Sequence, residues 1–133
     1  MNNLKTLALF ACLGLSLFAC KKKKDEETPR AIGGKGGSGV ILATPQHHGK
    51  NIDSCTIYIK YDATNLPTTF DDSAKCVKIN GAPVATFSGL KKGDYYLYGH
   101  GYDPTGPWIV RGGIQYTITT ENTQTVYVPV SEE

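Results

Sequence analysis

The residues best suited to chemistry are three histidines, two mid-chain cysteines and a few carboxylates. His47 and His48 are neighbours between Pro45 and Gly49, and His100 lies far downstream. Imidazole nitrogens suit Zn²⁺ and Cu²⁺, so the three make a candidate metal set. Neighbours on an extended chain face opposite ways, so His47 and His48 can share an ion only where the chain turns. Pro45 and Gly49 favour such a turn. No HExxH-type spacing links any pair, and exposed loop histidines are the plain expectation. Asp62, Asp71 and Asp72 offer oxygens of the kind Ca²⁺ takes, but without the alternating spacing of an EF-hand loop. A solvated acidic loop is expected there. The chain has no Gly-x-Ser-x-Gly elbow and no Ser/His/Asp set with plausible geometry. Neither an enzymatic activity nor a cofactor is therefore expected.

Cys55 and Cys76 have no CxxC spacing and no adjacent histidine, which argues against a metal or catalytic thiol. In an oxidising compartment such a pair is expected as a disulfide. Its loop of about 21 residues corresponds to about 3 kcal/mol on chain-entropy grounds. Two separate buried thiols are the alternative. A different candidate is aromatic. Tyr96, Tyr98 and His100 recur at every second residue, Tyr58 lies on an earlier segment, and Trp108 follows. Flat aromatics on a sheet face can stack on a sugar ring or an apolar partner. The competing explanation is ordinary cross-strand pairing.

Strands must position these groups, because no segment from Gly39 onward has helical apolar spacing, while β-branched and aromatic residues alternate with polar ones. Val40–Thr44 reads as a first strand stopped by Pro45. Ser54–Tyr61 reads as a second, with Cys55, Ile57, Ile59 and Tyr61 on one face. Asp62–Ser73 is a long loop. Cys76–Ile79 and Val84–Phe87 flank the turn signal Asn80-Gly81-Ala82-Pro83. Tyr95–Tyr102 puts Tyr95, Leu97 and Gly99 on one side, and Asp103-Pro104-Thr105-Gly106-Pro107 ends it. Trp108–Thr120 follows, with Gly112-Gly113 as an expected bulge or bend. Glu121-Asn122 turns the chain, and Val126, Val128 and Val130 line the core face of the last strand. Seven short strands with Gly/Pro punctuation predict an all-β, seven-stranded β-sandwich.

The first 19 residues have the parts of a secretory signal: Lys5, an apolar run from Leu7 to Phe18, and the small residue Ala19. The apolar run is shorter than the roughly 20 residues of a spanning helix. Leu17-Phe18-Ala19-Cys20 resembles the lipobox of bacterial lipoproteins. That resemblance implies cleavage before Cys20, lipid on its sulfur, and acylation of the new amine. More than one acyl chain holds a protein stably at a membrane. Lys24-Asp25-Glu26-Glu27 resembles the signal that exports Bacteroidota lipoproteins to the outer face of the outer membrane. The expected organisation is a cleaved signal over 1–19, a charged and Gly-rich tether over 20–38, and one domain over 39–133. Beyond the tether the chain holds seven basic and nine acidic residues. No basic stripe remains to track a phosphate backbone, so a nucleic-acid partner is excluded.

Phe87-Ser88-Gly89-Leu90-Lys91-Lys92-Gly93-Asp94-Tyr95-Tyr96-Leu97-Tyr98, running on to Gly101-Tyr102, resembles the Leu-x-x-Gly-x-Tyr-x-Leu … Gly-Tyr signature of carboxypeptidase regulatory-like domains. Upstream, Gly49–Ile57 sits where that family has a Gly-x-Pro-x-x-x-Ala-x-Val segment, with Asn51 for the Pro, Cys55 for the Ala and Ile57 for the Val. The usual Asp-Gly turn is replaced by Asn80-Gly81-Ala82-Pro83. The resemblance implies a transthyretin-like (prealbumin-like) sandwich acting as an accessory or binding unit. Hydroxyisourate hydrolases share that fold but end in Tyr-Arg-Gly-Ser, whereas this chain ends Pro129-Val130-Ser131-Glu132-Glu133. The expectation is a non-catalytic outer-membrane lipoprotein, held through its N-terminal lipid and surface-exposed. It would present Tyr58, Tyr96, Tyr98, His100 and Trp108 to a protein or glycan partner. The alternative is a metal-binding envelope lipoprotein using His47, His48 and His100.

Overall fold

The computed structural model describes residues 29–133; the expected signal, Cys20 and the Lys21–Glu27 charged run lie outside the described residues. The described chain is all-β, as expected, and folds as two packed sheets. It forms ten strands where seven were expected: β1 Lys35–His47, β2 Lys50–Asn51, β3 Ser54–Tyr61, β4 Asp72–Lys75, β5 Val77–Ile79, β6 Ala82–Leu90, β7 Gly93–Asp103, β8 Trp108–Ile118, β9 Thr123–Pro129 and β10 Ser131–Glu132. The extra strands are short pairings that alternation over a few residues does not reveal. One sheet runs β2-β1-β6-β5, with β9 also paired to β1, in parallel. The other is antiparallel in the order β10-β8-β7-β3-β4.

Alternation builds the core. Ile41 and Ala43 of β1, Phe87 and Leu90 of β6, and Val126 and Val128 of β9 face Ile57 and Ile59 of β3 and Tyr95 and Leu97 of β7. Two hairpins turn on left-handed residues, His48-Gly49 (φ 49° and 75°) and Asn80-Gly81 (φ 50° and 81°). Positive φ at both central residues matches the right-handed twist of the flanking strands.

Several expected boundaries shift. Pro45 does not stop β1, which continues to His47. Pro45 stands opposite Val128 in the parallel ladder with β9, while on the other edge of β1 pairing with β6 has ended at Ala43–Ala85 and pairing with β2 has not begun at Gln46–Asn51. The Pro45 carbonyl accepts the Ile52 N–H on that edge, and no β6 or β2 register partner there calls for an N–H from Pro45. β7 likewise continues to Asp103. Gly112-Gly113 is not a bulge, because both residues pair in unbroken register with Gly99 and Tyr98. These positions are tight instead: a Cβ on Gly112 would meet the Pro129 carbonyl at 2.5 Å, and one on Gly113 the Leu97 carbonyl at 2.5 Å. At the N-terminal edge, Gly33 and Gly34 are buried and β1 starts at Lys35. The last residues of the Gly-rich run thus belong to the sheet.

Candidate functional site

The inward parity of β1 runs Ile41, Ala43, Pro45, His47, and that of β7 runs Tyr95, Leu97, Gly99, Gly101, Asp103. An imidazole and a carboxylate thus end two core-facing rows on opposing sheets. They meet at one end of the sandwich. His47 is 2 % exposed and its Nδ1 lies 2.7 Å from Asp103 Oδ2. The other oxygen of Asp103 accepts the Thr105 N–H at 3.0 Å and the Thr105 hydroxyl at 2.7 Å. The carboxylate is therefore held from two sides and in turn orients the ring. On the far side of that ring, Nε2 lies 2.5 Å from Glu132 Oε2. Glu132 comes from β10, which pairs with β8 at Val110.

His48 joins the group because the left-handed turn breaks the alternation that would send neighbours apart. Its ring centroid lies 4.1 Å from that of His47, and its Nε2 is 3.4 Å from Glu132 Oε2. Trp108 packs edge-on against His47 at 5.5 Å. The hydrogen bond to Asp103, then the one to Glu132, raise the His47 pKa above its ordinary value, although burial works the other way. Asp103 is lowered to about 2, first by His47 and then by Thr105. Glu132 is also lowered, mainly by its bond to His47. A carboxylate orienting an imidazole is the arrangement of acyl-transfer triads, but there Nε2 faces a nucleophile. Here it faces a second carboxylate.

The expected aromatic face divides. Tyr58 and Tyr98 are register partners on the outer face of β3 and β7, and Tyr96 stands two residues along, opposite Lys60. Phe70, from the loop after β3, folds back over them. It stacks on Tyr98 at 5.6 Å and 25°, and tilts against Tyr58 at 5.4 Å. Asp71 fixes that loop: its N–H donates to the Ile59 carbonyl, one carboxylate oxygen accepts the Tyr61 N–H at 2.8 Å, and the other meets Lys60 Nζ at 3.3 Å. An open hollow of about 620 Å³ lies alongside, lined by Tyr58, Thr69, Phe70, Asp71, Asp72 and Ser73. Trp108 does not belong to this face, since it sits against His47.

His100 is not with the other histidines. It lines a separate hollow of about 450 Å³ that also holds Cys55 and Cys76. The two cysteines are unbonded thiols where a disulfide was expected. Cys76 follows directly after β4, one step beyond the Thr56–Lys75 pair, and its N–H donates to the Cys55 carbonyl at 2.9 Å. The Cys55 thiol donates to the Thr56 carbonyl at 3.6 Å. The neighbouring Cys76 thiol and burial raise the Cys55 pKa, while Cys55 lowers that of Cys76. The acidic loop does not gather into a cation site. Asp62 pairs with Arg30 at 2.9 Å, while Asp71 is taken up by Tyr61 and Lys60. Sequence reasoning missed Asp103, Glu132 and Phe70. Only Asp103 left a signal, its even spacing from Tyr95. No protein-family model matches the chain, and no curated protein matches it.

Proposed function

We propose that the chain is a lipid-anchored envelope module without catalysis of its own, held at the outer membrane through Cys20, that presents the outer face of β3 and β7 to a glycan. It is of the kind that carries a carboxypeptidase regulatory-like, transthyretin-like domain. The supporting observation is the Phe70–Tyr98 stack with Tyr58 beside it, bordering an open hollow rimmed by hydroxyls and carboxylates. Aromatic rings offer flat apolar platforms to the C–H faces of a sugar. Thr69, Ser73 and Asp72 supply hydrogen-bonding groups for its hydroxyls.

Export bears on the thiols as well. Directly opposed residues on antiparallel strands have Cα atoms about 4.5–5.5 Å apart, within the disulfide range. In an oxidising compartment Cys55 and Cys76 therefore close into a bond.

Glycan arrays and polysaccharide co-sedimentation with the full chain test the binding face. Replacing Tyr58 and Tyr98 by Ser removes the platform. At about 0.5–1.5 kcal/mol per aromatic contact, each change weakens binding about 2- to 12-fold. Unchanged retention by the double variant rejects this face, and no retained glycan at all rejects the ligand class. Cys20→Ser should release the protein from the membrane fraction and abolish fatty-acid labelling.

A further inference from the structure

We propose that His47, His48 and Glu132 form a binding site for one divalent transition-metal ion, Zn²⁺ or Cu²⁺, with Asp103 as its positioning residue. The site is independent of the aromatic face and uses none of its residues.

The three side chains place a ligand atom each within 4.8 Å of one another. Two imidazoles and one carboxylate are the donor types that Zn²⁺ and Cu²⁺ take, whereas Ca²⁺ and Mg²⁺ take oxygen alone. At Zn–N and Zn–O lengths near 2.0–2.1 Å, tetrahedral donors stand roughly 3.3 Å apart. His48 Nε2 and Glu132 Oε2 are already at 3.4 Å. His47 Nε2 and Glu132 Oε2, at 2.5 Å, must open by less than about 1 Å. Glu132 can make that movement, because its side chain is 41 % exposed and its strand is two residues long.

The surroundings complete the argument. A metal-bound histidine usually donates its other ring N–H to a carboxylate, which fixes the tautomer and presents the free nitrogen to the metal. Asp103 accepts at Nδ1 and is itself locked by Thr105, so His47 Nε2 points towards Glu132 and His48. His48 has φ 49° because it is the first central residue of the β1–β2 hairpin turn. This turn is what brings adjacent histidines to one point. His48, at 68 % exposure, and Glu132 face solvent, leaving a fourth position for water. The imidazole proton shared between His47 Nε2 and Glu132 holds the place of the ion. On binding, that proton passes to solvent and the nitrogen lone pair goes to the metal, with no change of oxidation state.

The test is titration of the full chain with Zn²⁺ against a chromophoric chelator, and with Cu²⁺ followed by fluorescence. Trp108 is the chain's one tryptophan and lies 5.5 Å from the His47 ring, so bound Cu²⁺ should quench it at one equivalent. Electron paramagnetic resonance should show coupling to both imidazoles, falling to a single imidazole in His48→Ala. His48→Ala and Glu132→Gln alter exposed groups, leave the circular dichroism unchanged, and weaken binding at least about tenfold. Asp103→Asn should cost about 10–100-fold, with Asp103→Glu recovering part of the loss and the two-imidazole spectrum. His100→Ala and the Cys55→Ser/Cys76→Ser double variant should titrate like the parent. The proposal fails if no stoichiometric binding is found. It also fails if His48→Ala and Glu132→Gln bind like the parent, or if the cysteine variant alone loses the ion.

Discussion

Tyr95→Phe removes one oxygen from the point where the N-terminal segment joins the sandwich. Tyr95 is fully buried, and its hydroxyl accepts the Gly34 N–H at 2.8 Å while donating to the Lys91 carbonyl at 2.7 Å. Gly34 is buried too, and its carbonyl still accepts the Lys91 N–H at 2.9 Å in the variant. The Gly34 N–H, however, is left without a partner. The bond is buried, so water has little access to that N–H. A buried donor left unsatisfied costs about 1–3 kcal/mol, so the expected loss is about 2 kcal/mol. For a domain of this size that corresponds to a fall in Tm of about 8–16 °C. Urea unfolding followed by Trp108 fluorescence reads it as a shifted midpoint at constant slope. Hydrogen exchange at the Gly34 amide should accelerate. Tyr96→Phe, on the outer face, is the control and should change stability little. A Tyr95→Phe loss below about 0.5 kcal/mol, within the range of ordinary surface substitutions, would refute the assignment of this hydroxyl as the anchor of residues 33–34.

Three further outcomes are expected. Asp94 is lowered from its ordinary pKa by the Thr117 hydroxyl at 2.6 Å and by Arg30 at 3.0 Å. Its contribution to stability is therefore full above about pH 3.8 and is lost as pH falls through the depressed folded value; acid titration of the unfolding midpoint should show a shallower loss in Thr117→Val. Gly112→Ala drives a methyl into the Pro129 carbonyl and should cost about 1–3 kcal/mol by overpacking, measured as a lower urea midpoint. Under reducing conditions a thiol-alkylating agent should modify half-buried Cys76 well before buried Cys55, because the Cys76 thiolate is favoured by its neighbour. Peptide mapping with equal labelling of both would contradict that order.

Period-two alternation is a local property, so much of the fold was legible residue by residue. β3 runs from Ser54 to Tyr61 as its alternation predicts, and Val126, Val128 and Val130 are buried as their spacing implies. Asn80-Gly81 turns the chain where the dipeptide says it should. Strand ends were less legible, because Pro45 and the Asp103-Pro104 pair are breakers in isolation. Inside the sandwich, Pro45 is held opposite Val128 of β9 and Asp103 opposite Trp108. A β1 that stops at Thr44 and a β7 that stops at Tyr102 omit His47 and Asp103, the residues that complete those inward rows.

From sequence alone came the class of fold, the faces of the central strands and the identity of the groups able to do chemistry. Those follow from how a backbone of fixed geometry alternates its side chains. The assembly of the sites was decided only by tertiary structure. His47 meets Asp103 across 56 residues and Glu132 across 85, and Phe70 reaches Tyr98 only because Asp71 pins a loop back onto β3. Alternation says that a side chain points inward. Which side chain it meets depends on the register of every strand between them, and that is a property of the whole sandwich.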